Sequence, residues 1–291
     1  IVCYWGKERN AATLWVAGGR RQQGYLQDCY FVKQTTAYGI PLRLVGSVLN
    51  QATINAADGG YVALLGANVS NQGVIAAQLG TIALAAGEAV TLDMAGDKLL
   101  NVTVDQGALN ALVDNGGMIR ADGGQVLLTT QAAGSLLANV VNNTGVIQAQ
   151  TLVTGENGTI RLLGGTQSGT LNVAGTLDAS APTGGNGGAI ETSAARVNIA
   201  SGVILTTAAP SGTTGTWLIS PQDFTVGSLS TDNISGPTLS AQLVTNSVTI
   251  STAAAGGGDI HVNNAIAWTA SSTPTTLSLL ADGNVNINQP I

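Results

Sequence analysis

The chain has 291 residues, long enough to bury a substantial core, yet only 9% are charged against roughly 25% in an ordinary soluble domain. Gly reaches 39 residues and branched aliphatics are abundant, which excludes a disordered chain, since such chains are poor in Val, Ile and Leu. A net charge of −6 argues against nucleic acid or anionic membrane as partner, and Asn, Gln, Asp, Thr or Gly interrupts every apolar run before the ~18 residues of a membrane-spanning helix.

Residues 1–44 stand apart. They carry six of the ten Lys/Arg (Lys7, Arg9, Arg20, Arg21, Lys33 and Arg43) and both cysteines, against only two acids, Glu8 and Asp28. From Val45 onward four basic residues face fourteen acidic ones. The opening "IVCYWGKERNAATLWVAGGRRQQGYLQDCYF" has no continuous apolar region and is not a signal peptide. A disulfide between Cys3 and Cys29 suits an oxidising compartment; two unpaired thiols in an atypical leader or cap is the other reading.

From residue 50 a phrase recurs: Asn-x-Gly-φ-Ile-x-Ala, with φ apolar. It appears as "NQATINA" (50–56, with Ala for Gly), "NQGVIAA" (71–77), "NGGMIRA" (115–121) and "NTGVIQA" (143–149), then degenerately as "VAGTLDA" (173–179) and "ASGVILT" (200–206). A companion phrase, Gly followed by a short alternating run, accompanies it: "DGGYVALLG", "LGTIALAAG", "DGGQVLLTT", "NGTIRLLGG", "SGTLNVAG" and "GGAIETSA". Branched residues at every second position over four to six residues predict short strands that bury one face and cannot stand alone. Three such strands per turn of about 20 residues, stacked turn upon turn, predict an all-β chain: a right-handed parallel β-helix with short helical or loop insertions. At ~20 residues per coil, roughly twelve coils and a rod of about 55–60 Å follow.

In this scheme Asn50, Asn71, Asn115 and Asn143 are corner positions whose amides stack as a ladder, and Gly73, Gly117 and Gly145 supply positive φ angles at sharp corners. The stretches 105–116 and 131–141, with apolar residues about four apart, read as short helical turns or loops bulging from the stack.

Three stretches resemble the amino-terminal region of filamentous-haemagglutinin-type adhesins, exoproteins of the two-partner secretion route of Gram-negative bacteria. They are "NAADGGYVALLGANVSNQGVIAAQLGTIALAAGEAVTLDMAGDKLLNVTVDQ" (55–106), "GTLDASAPTGGNGGAIETSA" (175–194) and "GTWLISPQDFTV" (215–226). The resemblance implies a division into a leader (1–44), a secretion-domain β-helix (45–219) and the start of a repetitive shaft (220–291). Trp217, Pro221, Asp223 and Phe224 belong to the junction motif, in which Ser220 replaces the family's usual Asp. It further implies an outer-membrane transporter as first partner, host or bacterial surfaces as later ones, and a secreted or cell-surface location. The family's upstream Asn-Pro-Asn motifs are absent.

Chemistry is sparse. His261 is the single histidine; two residues from Asp259 on one strand face, it reads as a surface pair rather than part of a triad. Asp58 and Asp122 precede Gly-Gly at equivalent corners and read as turn residues. Glu191 reads as outward-facing, and Lys98, Arg120, Arg161 and Arg196 as scattered. "GGNGGAIET" and "GGGDIHV" resemble Ca²⁺-binding nonapeptides but lack the required Asp or the repetition, and read as plain corners. Trp217 and Phe224 read as core plugs, with a partner-binding aromatic patch as alternative. No Cys/His spacing suits a metal, and neither cofactor nor catalytic residue is assigned. The favoured reading is a non-enzymatic adhesin stalk; a β-helix polysaccharide lyase or hydrolase and a self-assembling matrix protein are the alternatives.

Overall fold

Strands of three to six residues hold together only when both edges are paired and one face is buried. Here they achieve this by stacking in register. The structure, a computed structural model, describes residues 2–5, 14–17, 29–32, 40–93, 101–131, 139–152, 157–252, 258–271 and 273–291.

Three sheets form the sides of a parallel β-helix. Sheet I is 11-stranded. Its parallel strands are Tyr61–Gly66, Thr81–Ala86, Gln125–Thr130, Thr159–Leu163, Ala189–Ser193, Thr216–Ser220, Ser247–Ser251 and Leu277–Leu280. Sheet II runs Ser47–Asn50, Asn68–Asn71, Leu112–Asn115, Asn139–Asn143, Gly169–Val173 and Arg196–Ile199. Sheet III runs Thr53–Asn55, Val74–Ala76, Met118–Arg120, Val146–Gln148, Thr176–Asp178 and Ile204–Thr206. All six copies of the recurring phrase are therefore strands of one sheet, with Ile54, Ile75, Ile119, Ile147, Leu177 and Leu205 in one inward column. The companion phrases fall on sheet I, except "SGTLNVAG", which supplies a strand of sheet II. A continuous aliphatic core runs between the sheets, from Val62, Val69 and Ile75 to Ile250, Val262 and Ile266.

Coil length departs from the expected ~20 residues. The first aligned step, Asn50 to Asn71, spans 21 residues, but the following ones span 44 and 28, and those farther along 30 and 26. Sheet I consequently has eight parallel strands rather than about twelve, and seven steps of ~4.8 Å make a stack about 34 Å long. The 44-residue coil holds an excursion. Its strands Ala89–Asp93 and Asn101–Gln106 join Ile40–Arg43 in an antiparallel outer sheet. Leu44, Val90, Leu92 and Val102 of this region pack on Ala63, Leu65, Ala83 and Ala85, the outward face of sheet I. Thr81–Ala86 is thus buried on both faces, which is why Ile82 to Ala86 are apolar without a break instead of alternating.

The helical reading of 105–116 is overturned. Asn101–Gln106 is a strand, a turn with Asn110 at φ 53° follows, and Leu112–Asn115 is again a strand. The apparent spacing of four comes from two strands meeting across that turn. Of the stretch 131–141, residues 132–138 lie outside the described residues, and Asn139–Asn143 is a strand of sheet II. The helix among the described residues, Gly236–Leu243, lies elsewhere; Ser235 caps it by accepting from the Thr238 N–H at 3.2 Å.

At the amino-terminal end the strands Val2–Trp5, Leu14–Ala17 and Cys29–Val32 extend sheet I in antiparallel sense beyond Tyr61–Gly66. Cys3 aligns with Val16 and Cys29 with Ala17, on strands separated by a third. Toward the other end, sheets II and III stop at Arg196–Ile199 and Ile204–Thr206. Sheet I continues opposite a terminal sheet of Phe224–Val226, Ile260–Val262 and Val285–Ile287.

Candidate functional site

Polar side chains at the corners of a coil meet their counterparts one coil away, so columns rather than pockets are the natural units of this surface. Asn50, Asn71, Asn115 and Asn143 occupy one aligned position of sheet II, none more than 7% exposed. Each Nδ2 donates to the Oδ1 of the next, at 2.8 Å in all three steps. Asn50 Oδ1 also accepts from the Ala52 N–H at 3.2 Å, and Asn143 Nδ2 donates to the Gly145 carbonyl at 3.3 Å. The column continues as Val173 and Ile199, both buried. These amides are committed to one another and to the adjacent backbone.

Gly73, Gly117 and Gly145 follow two residues after ladder asparagines, but not for the expected reason. Positive φ among the described residues falls at Gly59, Leu79, Asn110, Gly123, Gly184 and Gly185, not at these three. A Cβ on Gly73, Gly117 or Gly145 would lie 2.1, 2.2 or 2.1 Å from the carbonyl oxygen of Ala52, Gly73 or Gly117, one coil below. The corners are glycine because successive backbones touch there. The same geometry explains Ala52 in the first copy: its strand, Thr53–Asn55, ends sheet III, and among the described residues no sheet III strand lies below it to meet the methyl.

The most developed polar cluster is one that the sequence pattern hides. Asp58 and Asp122 are register equivalents, since Tyr61 and Gln125 both align with Thr81, yet Asp58 is exposed and Asp122 is only 3% exposed. The Asp122 carboxylate accepts from Arg120 Nε at 2.6 Å, from Gln148 Nε2 at 2.9 and 3.0 Å, and from the Gln150 N–H at 3.0 Å. Two coils from Asp122, Asp178 accepts from Gln150 Nε2 at 2.7 Å and from the Ser180 hydroxyl at 2.6 Å. Asp122 is therefore a hub joining coils, not a simple turn residue. The only sequence signal was Gln at 148 and 150, on the two coil positions that face it.

Trp217 and Phe224 are fully buried in the core, and Pro221 is buried, while Asp223 is exposed. The aromatic surface patch is thereby excluded. Trp217 Nε1 donates to Thr192 Oγ1 in the preceding coil at 3.0 Å, giving the buried indole its partner. Asp223 accepts from the Asp259 N–H at 2.9 Å, and Asp259 from the Asn284 N–H at 2.6 Å, so these carboxylates tie successive coils of the terminal sheet. His261 Nε2 stands 4.0 Å from Asp259 Oδ2 and its Nδ1 is 3.3 Å from Asn286 Nδ2, a surface pair. Glu191 faces out and pairs with Arg161 Nε at 2.7 Å one coil away. Arg196 donates to Asn198 Oδ1 at 2.9 Å and to the Thr231 carbonyl. Lys98 lies outside the described residues. In "GGNGGAIET", Gly184 and Gly185 have φ 127° and 88°, a left-handed bend. Of "GGGDIHV", residues 256–257 lie outside the described residues. Among the described residues no three of His, Cys, Asp and Glu are grouped to hold a metal ion, and no helix is long and apolar enough to cross a membrane.

The outward face of sheet III carries one further column. The φ position of the phrase points outward as Val74, Met118, Val146, Thr176 and Ile204, with Ile204 61% exposed. With Thr53 in the first copy, the column mixes four apolar residues with two threonines.

These features define a parallel β-helix whose polar residues are invested in coil-to-coil contacts. The chain is similar to the HMW1 secretion domain from Haemophilus influenzae, with a TM-score of 0.43 at 17% sequence identity, over 89% of this chain and 69% of that one. No family model and no curated protein matches it.

Proposed function

We propose that this chain is a non-enzymatic, secreted, rod-forming segment of a haemagglutinin-like adhesin. An outer-membrane transporter of the two-partner type exports it, and it carries the binding regions of a longer parent toward host or bacterial surfaces. In this reading residues 45–219 are the secretion domain, 220–291 begin the shaft, and the antiparallel strands of the leader cap the sheet I edge. The observation that carries it is the register: six copies of one phrase stack as one sheet. Each coil can therefore add to a finished template as the chain emerges, a mode suited to folding outside the cell without ATP. The phrases that resemble the adhesin family supply the rest.

The test is co-expression of the chain, fused to a cleavable inner-membrane export signal, in a Gram-negative host with a transporter of this class. A trypsin-resistant β-rich product should accumulate in the medium only when the transporter is present. Retention in the periplasm under both conditions, or shortening of polysaccharide chains by the purified protein, refutes the reading.

A further inference from the structure

Where sheets II and III end partway along the stack, their last strands present N–H and C=O groups that a further strand would have paired. Such edges invite another chain unless something covers them. Three amide side chains from residues 233–246 do so. Asn233 Nδ2 donates to the Val197 carbonyl at 2.8 Å, while the Asn233 backbone carbonyl accepts from the Ile199 N–H at 2.8 Å. Gln242 Nε2 donates to the Val203 carbonyl at 3.3 Å. Asn246 Nδ2 donates to the Leu205 carbonyl at 3.1 Å, and its Oδ1 accepts from the Thr207 N–H at 2.7 Å. All three are at most 7% exposed. The helix Gly236–Leu243 holds them in place: Asn246 Nδ2 also donates to the Gln242 carbonyl at 2.6 Å, and Leu239 and Leu243 are buried in the core. Asn233 is anchored separately, its Oδ1 accepting from the Thr225 N–H at 2.8 Å.

We propose that residues 233–246 form a side-sheet seal, which withholds the edge strands Arg196–Ile199 and Ile204–Thr206 from pairing with a second copy of this chain. A helix alone leaves edge carbonyls unmet, because its own backbone groups are used internally; side-chain amides carry both donor and acceptor and so can stand in for a strand. The sealing groups lie 34 to 41 residues downstream of the groups they cover, so both edges stay open during synthesis or export until that segment arrives.

The test uses the full chain with Asn233→Asp and Asn246→Asp, near-isosteric changes that keep the acceptor atoms and remove the donors. A third variant, Gln51→Ala, is the control; it cuts an exposed amide contact between the first two coils, far from the sealed edges, where Gln51 Nε2 donates to Gln72 Oε1 at 3.0 Å. Hydrogen exchange read by mass spectrometry should accelerate on the order of tenfold in peptides covering 196–207 for the two seal variants, the effect of losing one or two buried hydrogen bonds. Peptides covering Thr81–Ala86 and Gln125–Thr130 should be unchanged, and sedimentation should reveal concentration-dependent dimers absent from the control. Local acceleration without dimers, dimers without local acceleration, no change in either, or acceleration spread evenly over the chain each overturns the seal.

Discussion

Replacing Asn115 by Ala tests whether the buried ladder is a cooperative column or a set of independent contacts. Asn115 is fully buried, accepts from Asn71 Nδ2 and donates to Asn143 Oδ1, both at 2.8 Å. The substitution deletes two bonds of roughly 1 kcal/mol net each and strands two buried partners, at about 1–3 kcal/mol apiece if unrelieved. Asn71 Nδ2 retains a weak bond to the Gly73 carbonyl at 3.4 Å, so a total near 3 kcal/mol is expected. Changing Asn50, Asn71, Asn115 and Asn143 together to Val should cost far less than four single substitutions summed, because no amide is then left facing a missing partner. Val173 and Ile199 already fill the same column in the next two coils. The assay is urea unfolding followed by far-UV circular dichroism, comparing midpoints at constant m. A single Ala variant within about 0.5 kcal/mol of the parent, or a quadruple Val variant as costly as the summed singles, refutes the cooperative column.

Glycine at the corners gives a second, paired test. Gly117→Ala drives a methyl to 2.2 Å from the Gly73 oxygen and should lower stability by about 3 kcal/mol or abolish folding, whereas Gly202→Ala, with nothing within 4 Å, should stay within about 0.5 kcal/mol by thermal melting. Leu79 has φ 56° at the register position where Gly59 and Gly123 have 72° and 69°; Leu79→Gly should raise the unfolding free energy by up to about 1 kcal/mol, and a drop of that size would contradict the backbone-strain argument. Asp122→Asn leaves an amide NH₂ among the donors Arg120, Gln148 and Gln150, so a loss of about 1–3 kcal/mol is expected in the same melts, with Asp58→Asn near neutral. Trp217→Phe removes the bond to Thr192 and should cost about 1–2 kcal/mol while blue-shifted tryptophan emission falls.

Much of the architecture is legible in the linear sequence because a coil encodes it locally. Alternating Val, Ile and Leu over a few residues specify a strand with one buried face, and the six-fold phrase by itself aligns Ile54 through Leu205. The column of Asn50, Asn71, Asn115 and Asn143 follows from the same alignment. Other properties depend on what lies opposite a strand, and that is chosen by residues far away in the chain. The run Ile82–Ala86, apolar on both faces, makes sense only once Val90, Leu92 and Val102 cover its outer side; the excursion that carries them lengthens one coil to 44 residues, one of the long coils that a ~20-residue period overcounts. Asp58 and Asp122 share a position in the repeat but not a role, because only Asp122 has Gln148 and Gln150 from the next coil around it. Corner glycines reveal their reason only when the carbonyl of the coil below is in place. The amides at 233, 242 and 246 carry no pattern at all, since their partners sit on strand edges that exist only after the coils have wound. Periodicity along one coil belongs to the sequence; contacts between coils belong to the fold, because stacking sets which distant residues share a column.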